Sequence, residues 1–501
     1  MKYNHLLNSI SLIKQSHKFF NKSFSMSHSL YSSIKEIQKD MYFGTEVLNR
    51  VSFLREDNEF ISQSLFHPST RFIFFNKQNP LVHKNYSNKI TIITNGDNQI
   101  NVESLEDLNG KRLGYKGNQQ FISGGLINNI PNWETILTKW CNDNKNQSST
   151  LRSDTNPVFL FLGLLDESIG LDINTLKSNC EQNGDEKYLD HQGRYQGIAY
   201  YAVDISRNKE LCKNLVHYVN DTINQKESTT KTPEENGIFF THSRKHFLNF
   251  NHYEASLFSQ GAMFFHWLKT NKFCPGCGKP TIPIHAGGKL LCTNEETVEI
   301  PNPEDSNNPI IKSICPVKSA PVSNVSFPRT DMAIISIITN RDRSKILLSL
   351  GRRHVHSKMY SCTAGFMEPS ETIEVATKRE IWEETGVNCN EIQIVMTQPW
   401  PFPQNLMIGC IGIVEFNGEN EIINLNHDNE LLDARWFDTS FVRKLVYPSG
   451  IVGSEENGIE EHNKDDDDFN PEGIMIPMSE SIAFSLIKLC VDEEKNNHHK
   501  L

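Results

Sequence analysis

The chain has 501 residues, of which 37% are hydrophobic and 22% are charged, proportions typical of a soluble globular protein. This length predicts roughly two or three domains, and no apolar run is long enough for a membrane-spanning helix. The formal net charge of −11 excludes a general attraction to nucleic acid or anionic membranes, so metal or a few basic side chains must bind an anionic substrate. An odd number of cysteines, eleven, predicts thiols or metal ligands in a reducing compartment rather than a disulfide framework.

Both ends of the chain carry patterns that are typical of targeting signals. Residues 1–35 contain five lysines, many serines and no acidic residue. This composition resembles a mitochondrial transit peptide without arginine, and Met26 offers an alternative start. A disordered tail is the competing interpretation. At the other end, residues 499–501 (His-Lys-Leu) resemble a variant of the peroxisomal address Ser-Lys-Leu.

The first half of the chain has a mixed α/β pattern without a catalytic signature. Residues 253–268 have apolar side chains at helical spacing, which predicts a packing helix. Short apolar runs predict strands at residues 71–75, 90–93, 158–165 and 197–203. Polar, asparagine-rich stretches predict surface loops at residues 142–156 and 226–235.

A cysteine pair follows this helix. Cys274 and Cys277 are separated by two residues, with glycines that let the backbone curl around a metal, which is typical of a zinc knuckle. The polar stretch 295–308 predicts an inserted loop before the last cysteine. The alternative is that Cys292 or Cys315 is merely buried, which would leave a three-ligand or metal-free ribbon. We expect one structural Zn²⁺ ion held by Cys274, Cys277, Cys292 and Cys315.

An acidic segment, residues 365–387, is the most informative part of the chain. No glycine or proline lies between Glu371 and Gly386, so the pattern predicts a helix with Gly386 as its left-handed C-cap. Three glutamates occupy one face of this helix, where their charges repel unless a hard divalent cation binds them. A solvated acidic helix is the alternative. The glutamates are Glu380, Glu383 and Glu384.

The segments that flank the acidic helix predict the rest of a sheet. Strands are expected at residues 332–339, 346–350, 392–396 and 409–416, and a last one after Asn429. Residues 455–468 predict a disordered acidic insertion, and residues 479–490 predict an amphipathic helix. Three basic side chains precede the acidic segment and could face phosphate, although solvated bases are the default interpretation. They are Arg352, Arg353 and Lys358.

A proline-rich loop at residues 397–407 follows the acidic helix. Its prolines alternate with Trp400 and Phe402, whose flat faces would suit stacking on a purine or nicotinamide ring. A rigid loop that buries two aromatic side chains is the alternative. The loop resembles the SQPWPFPxS signature of NADH pyrophosphatases, with Thr397 and Asn405 in place of the two serines.

The acidic segment resembles the Nudix box, G-x5-E-x7-R-E-U-x-E-E-x-G-U, and matches all nine of its fixed positions. Together with the cysteine pair and the proline-rich loop, it makes the chain resemble the NADH pyrophosphatase family of Nudix hydrolases, also called NAD-capped RNA hydrolases. This resemblance implies an α+β or α/β protein. Its expected parts are a mixed α/β, Nudix-like domain at residues 36–270, a zinc ribbon at 271–322, and a Nudix α/β/α sandwich at 323–495 with an acidic insertion near 450–470.

The resemblance implies cleavage of the pyrophosphate bond of NADH, with NAD⁺ and related dinucleotides cleaved less well. The products would be reduced nicotinamide mononucleotide (NMNH) and AMP. Two alternatives stay open: a decapping hydrolase for NAD-capped RNA, and a catalytically inactive protein that binds NADH or a partner. The family also implies a homodimer in the peroxisome, with the cytoplasm or mitochondrion as other expected locations.

The resemblance also assigns roles to individual residues. About two or three Mg²⁺ or Mn²⁺ ions would be held by Glu380, Glu383, Glu384 and Glu430. Either Glu384 or Glu380 would act as the base, and Arg379 would orient a glutamate. The expected substrate contacts are Phe327, Phe366, Gln398, Trp400, Phe402, Asn405, Met407 and Ala483.

Overall fold

The computed structural model describes residues 34, 41–83, 89–95, 130, 132–153, 156–169, 188–217, 237–303, 308–320, 323–448 and 470–498. Residues 1–33 of the predicted leader, the loop at 226–235, the acidic insertion at 455–468 and the tripeptide at 499–501 lie outside this description. The chain forms two compact units. The N-terminal unit comprises Phe43–Thr330 and Trp400–Gln404, and the C-terminal unit comprises Met1–Tyr42, Asp331–Pro399 and Asn405–Leu501. None of the described helices is long and apolar enough to cross a bilayer.

The N-terminal unit is built on an eight-stranded sheet with the central order β3-β2-β1-β7-β5. Its strands are β1 (Arg71–Asn76), β2 (Asn79–His83), β3 (Lys89–Ile90), β4 (Ile92–Thr94), β5 (Val158–Leu165), β6 (Leu189–His191), β7 (Tyr195–Asp204) and β8 (Ile238–Phe240). Strands β1 and β7 run parallel and are buried on both faces, which explains their continuous apolar sequences. Three of the four strands predicted in this region are confirmed, whereas the one expected at residues 90–93 is divided at Thr91 into β3 and β4, which pair with β2 and β1.

Helices cover this sheet. They are α1 (Asn58–Phe66), α2 (Trp133–Lys145), α3 (Arg244–Phe247) and α4 (His252–Thr270), with 3₁₀ turns at Ser52–Glu56, Ser149–Arg152 and Glu167–Ile169. The loop predicted at residues 142–156 is wrong in part, because α2 continues to Lys145 and buries Trp133, Leu137 and Trp140. Helix α4 confirms the predicted packing helix, and Asn251 and Glu254 form a capping box at its start.

The cysteine-rich region forms two hairpins in the same unit. Strands β9 (Thr281–Ile284) and β10 (Lys289–Cys292) form one, and β11 (Thr297–Ile300) and β12 (Ile310–Ser313) form the other; helix α5 (Pro316–Ser319) and a 3₁₀ turn (Asn324–Ser326) follow. Part of the stretch expected to be an inserted loop, residues 297–300, is therefore a strand that pairs with residues 310–313. The physical reason is the β-branched content of the two segments, which favours extended backbone.

The C-terminal unit is a six-stranded sheet with the order β16-β17-β13-β14-β18, and β15 pairs with β13. The strands are β13 (Asp331–Asn340), β14 (Lys345–Gly351), β15 (Thr363–Phe366), β16 (Glu391–Trp400), β17 (Asn405–Val414) and β18 (Leu431–Asp438). The helices are α6 (Ile373–Thr385), α7 (Thr439–Val446) and α8 (Ile482–His498), with a 3₁₀ turn at Arg352–His354. Strand β13 runs parallel to β17 and antiparallel to β14 and β15.

Alternating residues of β13 divide the core between two helical layers. Ile335 and Ile337 pack with α7 and α8, whereas Ile334 and Ile338 pack with the α6 side of the sheet. The period of two residues along the strand produces this division. The unit is thus an α/β/α sandwich, as expected. Strand β16 ends at Trp400 and strand β17 begins at Asn405. The proline-rich loop is therefore a short connection between these two strands.

Candidate active site and metal-binding residues

Helix α6 carries the acidic residues, and its ends are fixed by local interactions. The Thr372 side chain accepts a hydrogen bond from the Val375 amide at 3.3 Å, which caps the first turn. Gly386 ends the helix with φ of 74°, as the sequence predicted. Ala376 and Ile381 are fully buried on the sheet side and fix the rotation of the helix. That rotation determines where the three glutamates point.

Arg379 holds three carboxylates with one guanidinium. Its Nε and Nη2 donate to Oε1 and Oε2 of Glu371 at 2.7 and 2.9 Å. Its Nη1 donates to Glu380 at 2.8 Å and to Glu383 at 3.0 Å. Nη2 also donates to the carbonyl oxygen of Phe366 at 2.9 Å. Arg379 therefore orients the glutamates, which is the role that the family resemblance implies.

The first glycine of the box lies against one of these carboxylates. A Cβ atom added to Gly365 would lie 2.0 Å from Cδ of Glu380. The absence of a side chain at residue 365 therefore leaves the space beside strand β15 that the Glu380 carboxylate occupies.

The glutamates experience different electrostatic environments. Burial and the charges of Glu380, Glu430, Asp428 and Glu383 raise the pKa of Glu384, which is 4% exposed, to about 8. Burial also raises the pKa of Glu380, against the opposing effect of Arg379. Negative charge is thus concentrated around Glu384 with one guanidinium to balance it.

Glu371 shows the opposite shift. Hydrogen bonds from Arg379 and from the Glu368 amide lower the pKa of its carboxyl to about 2. Glu371 therefore stays ionised and remains a partner for Arg379 across the ordinary pH range. Its part in the site is to hold the guanidinium, which in turn holds Glu380 and Glu383.

Glu430 lies on the loop that precedes β18, and its charge raises the pKa of both Glu380 and Glu384. The structure thus brings it to the helix glutamates from a distant part of the chain. Its backbone amide donates to Oδ1 of Asp428 at 3.1 Å. Asp428 also faces Glu384. No motif position marks Asp428, so the sequence alone does not predict its place near Glu384.

Five of the expected substrate contacts belong to the C-terminal unit. Phe366 is 59% exposed at the end of β15, and its ring is free of the core. Met407 and Ala483 pack in the core cluster of β17 and α8. Asn405, at the start of β17, has a buried side-chain oxygen without a hydrogen-bond partner among the described residues.

Gln398 is the fifth, and its side chain bonds to backbone. It is 0% exposed. Its Nε2 donates to the carbonyl oxygens of Tyr42 and Glu480 at 3.0 and 2.8 Å, and its Oε1 accepts from the Ile482 amide at 2.8 Å. The side chain therefore fixes three backbone segments of the unit, and a substrate contact through it stays a prediction.

The other three expected contacts, Phe327, Trp400 and Phe402, belong to the N-terminal unit. The Phe402 ring stacks on Phe247 with centroids 5.8 Å apart, and the Arg244 guanidinium lies 5.1 Å from its centroid. Trp400 meets Phe43 edge to face at 5.8 Å. The loop thus packs its aromatic side chains within this unit, which was the alternative interpretation of its sequence. Lys289 Nζ lies 5.3 Å from the Phe327 ring.

The four predicted cysteines come together in the N-terminal unit. Their sulfur atoms all lie within 4.8 Å of one another. Separations of 3.5 Å (Cys274–Cys315), 3.4 Å (Cys277–Cys292) and 3.7 Å (Cys292–Cys315) are too long for disulfides. They match a tetrahedral site, in which Zn–S bonds of about 2.3 Å place the sulfurs about 3.8 Å apart. The donor set therefore fits one Zn²⁺ ion.

Comparison with known proteins agrees with this geometry. Residues 329–448 match the NUDIX domain model. The chain is 38% identical to "NAD-capped RNA hydrolase NPY1" of Saccharomyces cerevisiae over 459 residues, 91% of this chain and 96% of that protein. It is 27% identical to "NAD-capped RNA hydrolase" of Schizosaccharomyces pombe over 92% of this chain and 95% of that protein.

A human relative aligns over a shorter part. "NAD-capped RNA hydrolase NUDT12" of Homo sapiens is 32% identical over 258 residues, 52% of this chain and 46% of that protein. The yeast match covers nearly the whole of both proteins, and Arg379 and the three box glutamates lie together on helix α6. The chain therefore belongs to the Nudix superfamily of hydrolases, in the family whose members are named NAD-capped RNA hydrolases.

Proposed function

We propose that this chain hydrolyses the pyrophosphate bond of NADH to NMNH and AMP, and cleaves NAD⁺ and related dinucleotides less well. One observation supports this most strongly: Arg379 orients Glu380 and Glu383, while Glu384 and Glu430 face the same region. A protein that only binds NADH would not need this set of carboxylates.

We infer that Mg²⁺ or Mn²⁺ ions bind at these carboxylates. Hard oxygen donors in a region of uncompensated negative charge suit such cations. When bound, the ions neutralise charge on the phosphate oxygens and make a water molecule more acidic. The proposed ligands are Glu380, Glu383, Glu384 and Glu430.

The chain's own residues have separable roles in this proposal. Arg379 positions Glu380 and Glu383, and Glu371 holds Arg379 in place. A buried carboxylate with a raised pKa is suited to accept a proton from the attacking water. The pKa of Glu384 and that of Glu380 are both raised in the metal-free protein, so these two residues are the candidates for the base.

NAD-capped RNA is the second candidate substrate, because two relatives that align over 91% and 92% of this chain carry that activity in their names. The same pyrophosphate bond is cut in both cases, so one site would serve both substrates. Turnover of NADH and of NAD-capped RNA should be measured side by side on one preparation. The ratio of the two kcat/KM values decides which substrate is preferred.

Replacing Glu384 tests the catalytic assignment. Glu384→Gln should abolish turnover, while Glu374→Gln, an exposed change on the same helix, should leave it intact. Full turnover by Glu384→Gln would refute the assignment. Absence of turnover by the unchanged protein with any dinucleotide would favour the inactive binding protein.

We also infer that the four-cysteine group holds a structural Zn²⁺ ion, because a closed set of four thiolates leaves no position for substrate. The homodimer and the peroxisomal location remain predictions from the family resemblance. Their tests are the solution mass of the purified protein and the location of a fluorescent fusion with and without residues 499–501.

A further inference from the structure

The loop that carries Glu430 is attached to helix α6 through a residue outside the fixed positions of the box. Trp382 occupies a variable position there and is 45% exposed. Its indole stacks on the imidazole of His427, with centroids 4.4 Å apart and planes 29° from parallel. His427 lies three residues before Glu430, so this stack fixes the loop close to the proposed metal ligand.

Backbone contacts support the same attachment. The Asn424 amide donates to the carbonyl oxygen of Thr385 in the last turn of α6 at 2.8 Å. The Asn424 side-chain nitrogen lies 3.1 Å from Nε2 of His427. The loop is thus attached to the last turn of the helix at Asn424 and is oriented by the imidazole that stacks on Trp382.

Arg352 holds the other end of this loop. Its Nε donates to the carbonyl oxygen of Asn429 at 2.7 Å, and its Nη2 donates to the side-chain oxygen of the same residue. Asn429 directly precedes Glu430. The guanidinium therefore contacts both the backbone and the side chain beside the proposed ligand, rather than being a solvated base as the sequence suggested.

Electrostatics explains why such attachments matter. The carboxylate of Glu430 repels those of Glu380 and Glu384, and Glu430 is itself exposed. Repulsion would favour loop conformations that move Glu430 away from the helix. Contacts that oppose this movement keep the ligand set assembled before a cation arrives.

We propose that Trp382 and Arg352 are positioning residues that hold Glu430 against α6 and thereby set the affinity for divalent metal. The proposal rests on the proposed function, because it takes Glu430 to be a metal ligand. Neither side chain needs to touch metal or substrate. Lysine cannot replace Arg352, because a single ammonium group does not reproduce the two-pronged contact with Asn429.

The test is Mn²⁺ binding to metal-free protein without substrate, measured by electron paramagnetic resonance or calorimetry. Trp382→Ala and Arg352→Lys should each raise the Kd for Mn²⁺ about tenfold. Trp382→Phe, which keeps a flat ring against His427, should restore most of the affinity. Two matched controls, Val375→Ala on the exposed side of α6 and Arg353→Lys beside Arg352, should bind Mn²⁺ as the unchanged protein does.

A double substitution separates positioning from a general structural effect. If Arg352 acts through Glu430, Arg352→Lys should change the Kd by less than about twofold in a Glu430→Gln background. The KM for NADH at saturating Mn²⁺ should stay the same in Arg352→Lys. An equal loss of Mn²⁺ affinity in both backgrounds would overturn the proposal, and so would unchanged affinity in both single variants.

The two proposals can fail separately. Arg352→Lys is an exposed, conservative change, so its binding result remains readable if Trp382→Ala does not fold. Absence of NADH turnover by the unchanged protein would refute the proposed function. Mn²⁺ binding that responds to Arg352 and Glu430 as described would still support the positioning role.

Discussion

The guanidinium of Arg379 and the carboxylate of Glu371 form a two-pronged pair, with Nε–Oε1 and Nη2–Oε2 distances of 2.7 and 2.9 Å. Glu371 precedes helix α6, whereas Arg379 lies within it. The pair fixes the plane of the guanidinium, and its remaining nitrogen then holds Glu380 and Glu383. The guanidinium of Arg379 thus determines the orientation of two proposed metal ligands.

Replacing this guanidinium should impair catalysis more than folding. Arg379→Lys keeps the charge but cannot bind both oxygens of Glu371 while holding the other two glutamates. We expect kcat/KM for NADH to fall roughly 10- to 100-fold. The measurement is steady-state kinetics over a range of Mg²⁺ concentrations. Lys378→Arg, the neighbouring exposed position, serves as the control, and equal kinetics in both variants would contradict the assigned role.

The raised pKa of Glu384 predicts a pH-dependent stability in the absence of metal. Its pKa rises from an ordinary value of 4.5 to about 8 on folding, so ionisation is less favourable in the folded protein. The contribution of the protonated Glu384 to the free energy of unfolding is therefore lost as pH rises from about 4.5 to about 8. Glu384→Gln removes this effect. At pH 9 in EDTA, its free energy of unfolding should exceed that of the unchanged protein by an amount on the order of a few kcal/mol.

Urea unfolding of the two proteins across this pH range checks the prediction. The difference in the free energy of unfolding should shrink as pH falls below about 8. Added Mn²⁺ should reverse the order, because the cation stabilises the protein that binds it. A difference that does not vary with pH would show that Glu384 is not in the environment described.

Replacing Gly365 tests whether the Glu380 carboxylate must lie against strand β15. Gly365→Ala would place its Cβ 2.0 Å from the Glu380 carboxyl carbon, so Glu380 must move. We expect turnover of NADH to fall at least roughly tenfold with little change in far-ultraviolet circular dichroism. Gly351→Ala is the matched control, because its Cβ would meet nothing within 4 Å. Similar turnover in both variants would contradict this account.

The cysteine group predicts a structural dependence on zinc. Cys292→Ser should lower the zinc content measured by mass spectrometry and lower the Tm, because a three-thiolate set binds zinc less tightly. Cys212→Ser, which changes a cysteine outside the group, should retain the zinc. Protein that contains no zinc before any substitution, or a Cys292→Ser protein with a full zinc content, would refute the assignment.

Local signals in the sequence were enough to predict much of the fold. The β-branched run of β13, the continuous apolar run of β5, and the glycine after α6 each indicate their own local structure. The absence of glycine and proline between Glu371 and Gly386 is enough to predict the acidic helix and its C-cap. These features depend on neighbours a few residues away, which is why one sequence suffices to find them.

Contacts between residues distant in sequence that belong to no recognised motif cannot be predicted in this way. Strand β11 lies within a stretch that the sequence predicts to be a loop, because prolines and polar residues hide its short β-branched segment. No spacing rule pairs Trp382 with His427 or Arg352 with Asn429. The hydrogen bonds of the Gln398 side chain to backbone are likewise not indicated by its place in the signature, and its substrate contact stays a prediction.

Product analysis tests the central claim most directly. Purified protein is incubated with NADH and Mn²⁺, and the products are separated by liquid chromatography and identified by mass. Cleavage between the two phosphates predicts equal amounts of NMNH and AMP, with neither formed by Glu384→Gln. Release of free nicotinamide with an intact ADP-ribose product would contradict the account, because the bond broken would then be glycosidic.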